Sequence, residues 1–265
     1  MKQDLLIVKI GGNVIDNSEA LQVFLSHFAR LPHPKLLVHG GGKIATELSA
    51  KLGIETRMVD GRRITDDETL KVIAMTYAGW VNKSVTALLQ KNNCNAIGLS
   101  GVDAQLIPAI KRSVKDVDYG WVGDVLKDKI SVTFLKNIFE QNLTPVIAPV
   151  AGNNEGQLLN VNADTIAQSL AEALSAFFLV TLIYCFEKDG LLQNVNDDNS
   201  VISEINFDSA ELLKAKGAIT LGMLPKIDNA FSAIKNGVET VVIGNALHIH
   251  QLATKQKGYG TFIKA

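Results

Sequence analysis

Leu5-Leu6-Ile7-Val8-Lys9-Ile10-Gly11-Gly12 is an apolar stretch that runs straight into a glycine pair, and Lys35-Leu36-Leu37-Val38-His39-Gly40-Gly41-Gly42 repeats the arrangement. Near-continuous Val/Ile/Leu runs of this length read as strands buried on both faces, as in a parallel sheet. A glycine cluster directly after such a strand lets the backbone turn sharply and brings bare N–H groups to the sheet edge, where they attract anions. In an open parallel sheet, ligands lie beyond the carboxyl ends of the strands. Two such loops, one preceded by Lys9, therefore predict a site for a phosphoryl group. No G-x-x-x-x-G-K-[ST] or G-x-G-x-x-G pattern is present, which disfavours a P-loop or a dinucleotide fingerprint.

Strand and helix patterns alternate outward from these loops. Leu21, Leu25 and Phe28 fall on one helical face, and Ile44, Leu48 and Leu52 on another, stopped at Gly53. Thr56 to Ile64 alternates around Asp60-Gly61, a hairpin signal. Thr65-Asp66-Asp67-Glu68 reads as a capping box with Thr65 as N-cap, opening a long helix through Val72, Met75, Trp80 and Leu88. Cys94–Leu99 is a predicted strand ending at Ser100-Gly101. Leu106–Val125 is a predicted hairpin turning at Tyr119-Gly120-Trp121, Phe134–Asn142 a helix and Thr144–Val150 a buried strand. A one-face stripe from Ala163 to Leu174 marks a helix, and Phe177–Phe186 is the most apolar strand. Helices are predicted near Asp208–Lys216 and Pro225–Asn236, then a last buried strand, Val238–Gly244, with a short helix after it. The pattern is α/β, a mostly parallel sheet with helices on both faces.

The chain has 265 residues with 47% apolar and 20% charged side chains, enough for one large α/β domain or two joined lobes. Twenty-six basic and 27 acidic residues give a formal charge of -1, which argues against a nucleic-acid or membrane-surface partner. Any anion site must then come from a few placed lysines and backbone amides. Cys94 and Cys185 lack metal-ligand spacing and read as buried thiols. The apolar run at Leu5–Ile10 is too short for a signal peptide or a membrane span, so a cytoplasmic protein is expected.

Five groups of residues carry candidate chemistry. Lys9 stands in an otherwise apolar strand, where an ammonium needs a partner. Lys226 follows Gly222-Met223-Leu224-Pro225, and Pro225 suits the first turn of a helix; a lysine there opposes the helix dipole unless an anion lies between. Asp164, in Asn160-Val161-Asn162-Ala163-Asp164, is either an N-terminal acid of its helix or a group that orients cationic lysines. Asn160 and Asn162 could donate hydrogen bonds to a ligand. Arg63, on the arm after Asp60-Gly61, suits bidentate recognition of a carboxylate, whereas Arg62 reads as solvated.

In order and spacing, Lys9-x-Gly11-Gly12, His39-Gly40-Gly41-Gly42, Asp60-Gly61-Arg62-Arg63-Ile64-Thr65, Asn160 to Asp164 and Gly222-Met223-x-x-Lys226 resemble the amino acid kinase family over nearly the whole chain. Within it, the likeness is to members that phosphorylate the γ-carboxylate of N-acetyl-L-glutamate or another N-acyl-L-glutamate, the second step of arginine biosynthesis. The resemblance implies a three-layer αβα open sandwich with a mostly parallel central sheet. Residues 1–175 would form the acylamino acid-binding lobe and 176–265 the nucleotide-binding lobe, on one continuous sheet. It assigns Lys9 and Lys226 to the transferring phosphoryl group, Asp164 to organising those lysines, and Gly41, Gly42, Arg63 and Asn160 to the acceptor. The amides of Gly11 and Gly12 would face the phosphates. ATP would be the co-substrate, with Mg²⁺ held mainly by its phosphates and no protein metal site. The Tyr184–Gly190 segment departs from the family pattern, so no nucleotide contacts are carried over there. The resemblance also implies a homodimer, and arginine insensitivity, because arginine-inhibited members carry an extra N-terminal helix. Other kinases of the fold, such as carbamate or glutamate 5-kinases, and a non-catalytic ligand sensor are the alternatives.

Overall fold

The computed structural model describes residues 2–32, 34–194, 197, 200–215 and 224–264, with the side chains of 212–215 and 224–226 left out. The elements run β1 (Gln3–Ile10), α1 (Gly12–Ile15), α2 (Ser18–Ala29), β2 (Lys35–His39), α3 (Gly42–Lys51), β3 (Met58–Val59), β4 (Arg62–Arg63) and α4 (Asp67–Ile73). A π-helical segment (Ala74–Val81) leads into α5 (Asn82–Lys91), β5 (Ala96–Ser100), β6 (Ala109–Lys111), β7 (Gly123–Val125), α6 (Val132–Glu140), β8 (Thr144–Ala148), β9 (Val150–Gly152) and β10 (Leu158–Asn160). The remainder is α7 (Ala163–Ser175), β11 (Phe178–Phe186), β12 (Glu204–Ile205), α8 (Phe207–Ala215), α9 (Leu224–Lys235), β13 (Thr240–Asn245), α10 (Ile249–Ala253) and β14 (Thr261–Ile263).

Eight strands form one sheet in the order β12-β14-β13-β11-β1-β2-β8-β5. All neighbours are parallel except β13 and β14. β1 is thus a central strand, and its register with β11 runs from Gln3↔Phe178 to Ile10↔Cys185. Its side chains alternate between two cores, as a strand's period of two requires. Leu5 and Ile7 pack in the core formed with α6, α7 and α9, through residues such as Leu135, Ile166, Leu170 and Ile227. Leu6, Val8 and Ile10 pack in the core formed with α2, α5 and α10, through Phe24, Phe28, Val85 and Leu252. Helices therefore cover both faces, giving the expected three layers. Lys9 shares the parity of Leu5 and Ile7, so it points toward α7.

Several local expectations change. Helix α3 buries Ala45 and Ser49; Ile44 and Leu48 are half-buried and Leu52 is exposed. Asp66 rather than Thr65 caps α4, its carboxylate accepting from the Thr69 N–H at 2.9 Å, because the Thr65 hydroxyl is buried and engaged elsewhere. The long helix is not uniformly α: residues 74–81 widen into a π-helix. The strand from Thr144 breaks after Ala148, where Pro149 has no N–H to give to a ladder. In the β6–β7 hairpin the strands are short, and Tyr119-Gly120-Trp121 docks on Thr65 instead of forming a tight turn: the Thr65 N–H donates to the Tyr119 carbonyl and the Trp121 N–H to the Thr65 carbonyl. The short strands β12 and β14 at the sheet edge lay outside the sequence reading. The Asp60-Gly61 hairpin forms as expected, with positive φ at both residues (49° and 71°). Cys94 and Cys185 are buried and free, and burial pushes the Cys185 thiol up to about 12.

Candidate active site

Both glycine loops emerge at the carboxyl ends of adjacent parallel strands, so they share one crevice. The Gly40 N–H donates to the Ile10 carbonyl at 3.1 Å, tying the start of the second loop to the end of β1. A Cβ placed on Gly40 would lie 4.0 Å from the Gly12 nitrogen, so the two turns are in contact.

On the first wall, the Lys9 ammonium meets the Asp164 carboxylate at 2.7 Å, with side chains only 10% and 22% exposed. The pairing supplies the partner that a lysine in a central strand requires. The approach follows from the local folding. Lys9 faces α7, and Asn162 caps that helix, its Oδ1 accepting from the Asp164 and Thr165 N–H groups at 2.8 and 3.3 Å. The N-cap is thus Asn162, which leaves the Asp164 carboxylate free to reach Lys9. Tyr184 lies beside Lys9 in register on β11 and donates to the Asp164 carbonyl at 3.4 Å; burial keeps its phenol protonated. Gly11 packs against the same lysine: a Cβ there would sit 3.6 Å from Lys9 Nζ. Lys226 lies in the first turn of α9, with its side chain outside the described residues, as are Gly222 and Met223.

The second wall is built from Gly41, Gly42, Arg63, Thr65 and Asn160. Gly41 adopts φ +152°, and a Cβ there would fall 2.9 Å from the Tyr77 ring, so only glycine fits. Arg63 is buried, and its Nη2 donates to the Gly42 carbonyl and to Thr46 Oγ1, both at 2.8 Å. Its Nη1 donates to Thr56 Oγ1 at 3.1 Å. Both planar forks of a guanidinium include one terminal nitrogen in common, and here that nitrogen holds the glycine loop. Arg63 therefore shapes the loop as well as lining it. The Thr65 hydroxyl donates to the Arg63 carbonyl and accepts from Asn160 Nδ2, both at 3.0 Å, so the wall is continuous from Gly42 to Asn160. Arg62 is exposed, as expected.

Three residues without an assigned role in the sequence reading belong to this wall: His39, Tyr77 and Asn82. Tyr77 rests on Gly41, and its phenol is raised by burial while the neighbouring Arg63 opposes that rise. The Tyr77 position falls in the π-helical turn, and neither the helical periodicity nor residue type marks it in advance.

Among the described residues, no group of three or more His, Cys, Asp or Glu side chains could hold a metal ion, and no helix is long and apolar enough to cross a membrane.

Comparison with known proteins gives a consistent picture. A family model described as the amino acid kinase family matches residues 4–245. The chain is 52% identical over 264 residues to an acetylglutamate kinase of Cytophaga hutchinsonii, covering 99% of each chain. It is 50% identical to an acetylglutamate kinase of Phocaeicola vulgatus, covering 100% of each. Among solved structures, N-acetylglutamate synthase from Neisseria gonorrhoeae, complexed with coenzyme A and N-acetyl-glutamate, superposes with a TM-score of 0.82 at 21% identity, over 98% of this chain and 59% of that one. At that identity the likeness is one of fold.

Proposed function

The chain belongs to the amino acid kinase family, and from this premise we infer that it transfers the γ-phosphoryl group of ATP to the γ-carboxylate of N-acetyl-L-glutamate, the second step of arginine biosynthesis. The product is the acyl phosphate. The structural observation that carries the reading is the Lys9–Asp164 pair, buried at the lysine and half-buried at the aspartate, set beside one glycine loop that is itself in contact with the other.

Phosphoryl transfer to a carboxylate asks little of acid–base chemistry, since the nucleophile is already ionised. It asks for in-line placement and for relief of repulsion between two anions. In this reading the acceptor carboxylate lies along Gly41 and Gly42, bounded by Arg63 and Asn160. Lys9, oriented by Asp164, directs its remaining protons at the phosphoryl oxygens as negative charge builds there. The Gly11 and Gly12 amides face the phosphates. Lys226, in the first turn of α9, is the second lysine assigned to the transferring phosphoryl group, and an anion between a lysine and a helix N-terminus offsets the opposition of the dipole. Residues 1–175 take the acceptor and 176–265 the nucleotide, a division that β1 and β11 bridge within one sheet.

Mg²⁺ would neutralise charge on the nucleotide. Asp164 is already paired with Lys9, which favours an ion carried by ATP phosphates and water. We also propose a homodimer. Trp80 and Met75, 70% and 52% exposed on the π-helical segment, supply apolar surface for an isologous contact. Light scattering should give twice the chain mass of 28.6 kDa.

The test is ADP release by the purified protein with ATP and Mg²⁺, offered N-acetylglutamate, N-succinylglutamate, glutamate, aspartate or carbamate. Turnover on N-acetylglutamate is expected. Activity only on an unacylated acceptor would overturn the reading.

A further inference from the structure

Behind the Gly40–Gly42 loop runs a chain of hydrogen bonds, exposed at Lys83 and buried at Asn82 and His39, that ends on the loop itself. Lys83 Nζ donates to Asn82 Oδ1 at 3.1 Å and to the Gly98 carbonyl at 2.7 Å. Asn82, fully buried at the start of α5, directs Nδ2 at three acceptors: the Val146 carbonyl (2.9 Å), His39 Nε2 (3.1 Å) and the Leu99 carbonyl (3.2 Å). His39, also fully buried, places Nδ1 2.7 Å from the Gly40 carbonyl. Helix α5 thus enters the carboxyl ends of β2, β8 and β5 together, and Gly98 leaves the room for it, since a Cβ there would overlap Asn82 Oδ1.

The direction of every bond in this chain is fixed by chemistry. An ammonium can only donate, so Asn82 Oδ1 is the acceptor. The Val146 and Leu99 carbonyls can only accept, so Nδ2 faces them. His39 Nδ1 faces the Gly40 carbonyl, which can only accept, so the ring proton sits on Nδ1, and Nε2 of the neutral ring is left bare to share one of the two Nδ2 protons with the carbonyls. In a trans peptide the C=O and the following N–H point in opposite directions. Fixing the Gly40 carbonyl inward thereby turns the Gly41 N–H outward, and no protein acceptor meets that N–H among the described residues.

We propose that His39, Asn82 and Lys83 are positioning residues for the acceptor: through the Nδ1–H tautomer of His39 they hold the Gly40–Gly41 peptide in the one orientation that presents the Gly41 N–H to the acceptor carboxylate. The role resembles that of an oxyanion-hole peptide kept from flipping. It concerns the acceptor wall alone and rests on the functional reading above.

The test combines a spectroscopic and a kinetic readout. Nitrogen-15 NMR of the wild-type protein should show His39 as the Nδ1–H tautomer, the minor form of a free neutral imidazole; an Nε2–H signature would overturn the proposal. His39→Leu keeps side-chain bulk and removes both ring nitrogens. It should raise the acceptor KM about tenfold, as for loss of one well-placed hydrogen bond that orients a charged contact, with the ATP KM within about twofold of wild type. The unchanged ATP KM reports that the variant is folded. Asn82→Asp removes the donor that faces Nε2 and should produce the same split, together with a shift of His39 toward Nε2–H. An unchanged acceptor KM in a folded His39→Leu protein would overturn the proposal. Wild-type ADP release on N-acetylglutamate judges the functional reading separately, because the KM ratio can be taken with whichever acceptor the wild type uses.

Discussion

The two glycine loops touch, yet they are built on different principles. Gly11 sits at φ -94°, a conformation open to any residue, and the side chain it packs against is Lys9, paired with Asp164. Gly41 sits at φ +152°, against a tyrosine ring, and its loop is held by Arg63, Tyr77 and a buried His39–Asn82 chain. One wall works by charge on a simple backbone; the other works by backbone shape, with side chains serving to hold that shape. The division suits the reaction. A phosphoryl group is bound through its charge and is in motion, whereas the acceptor must be fixed in line with it.

The comparison is broken most severely at its charged side. Lys9→Ala should lower turnover on the order of 10²-fold, as removal of one preorganised donor does, while the acceptor KM changes little. Steady-state ADP release at saturating substrates measures this, and near-normal turnover would remove Lys9 from the chemistry.

The glycines themselves sharpen the contrast. Gly41→Ala forces a Cβ to within 2.9 Å of Tyr77 at a φ that side chains rarely adopt. It should cost about 1–3 kcal/mol in folding stability and more than about tenfold in acceptor affinity. Gly11→Ala adds a Cβ at an ordinary contact distance of 3.6 Å from Lys9 Nζ and should leave stability nearly unchanged. Urea denaturation of the two variants side by side tests the difference.

Arg63→Lys keeps the charge and loses the planar donor set that reaches Gly42, Thr46 and Thr56 together. An increase of about tenfold in the acceptor KM is expected, with the ATP KM unmoved. An equal rise in both constants would show that the walls are not separable.

The smallest effect is on stability against pH. Burial lowers the His39 pKa from 6.5 to about 4. The folded form then binds fewer protons than the unfolded chain, so stability is full above 6.5 and falls as pH drops from there toward 4. Between about pH 7 and about pH 5.5 the His39 share of the loss should be about 1 kcal/mol. It is read as the difference between wild type and His39→Leu, so that shifts elsewhere, such as the raised Asp16, cancel.

The same contrast explains what was legible in the sequence. Charge in an apolar strand is visible as a letter: Lys9 stands out, whereas Asp164, in the Asn160–Asp164 motif, reads equally as an acid at its helix start until the fold sets it against Lys9. The sheet was legible because its central strands are continuous Val/Ile/Leu runs, whereas β12 and β14 are too short to show a pattern. Shape is harder to read. Gly41 was marked as a loop residue, but that Tyr77 fills its missing side chain depends on the π-helical turn at 74–81, which shifts the helical phase in a way no fixed periodicity anticipates. Asn82 and His39 lie 43 residues apart and meet only through packing of α5 beneath the sheet ends. Thr65 has the sequence look of a cap, but its hydroxyl serves the nearby Arg63 carbonyl and Asn160, the latter brought to it by tertiary structure.

The division of labour between the loops is tested most directly by titrating N-acetylglutamate calorimetrically into Lys9→Ala and Gly41→Ala proteins. The account predicts that Lys9→Ala binds the acceptor within about threefold of wild type while failing to turn it over, and that Gly41→Ala loses more than about tenfold in affinity. Lost binding in Lys9→Ala with intact binding in Gly41→Ala would contradict it.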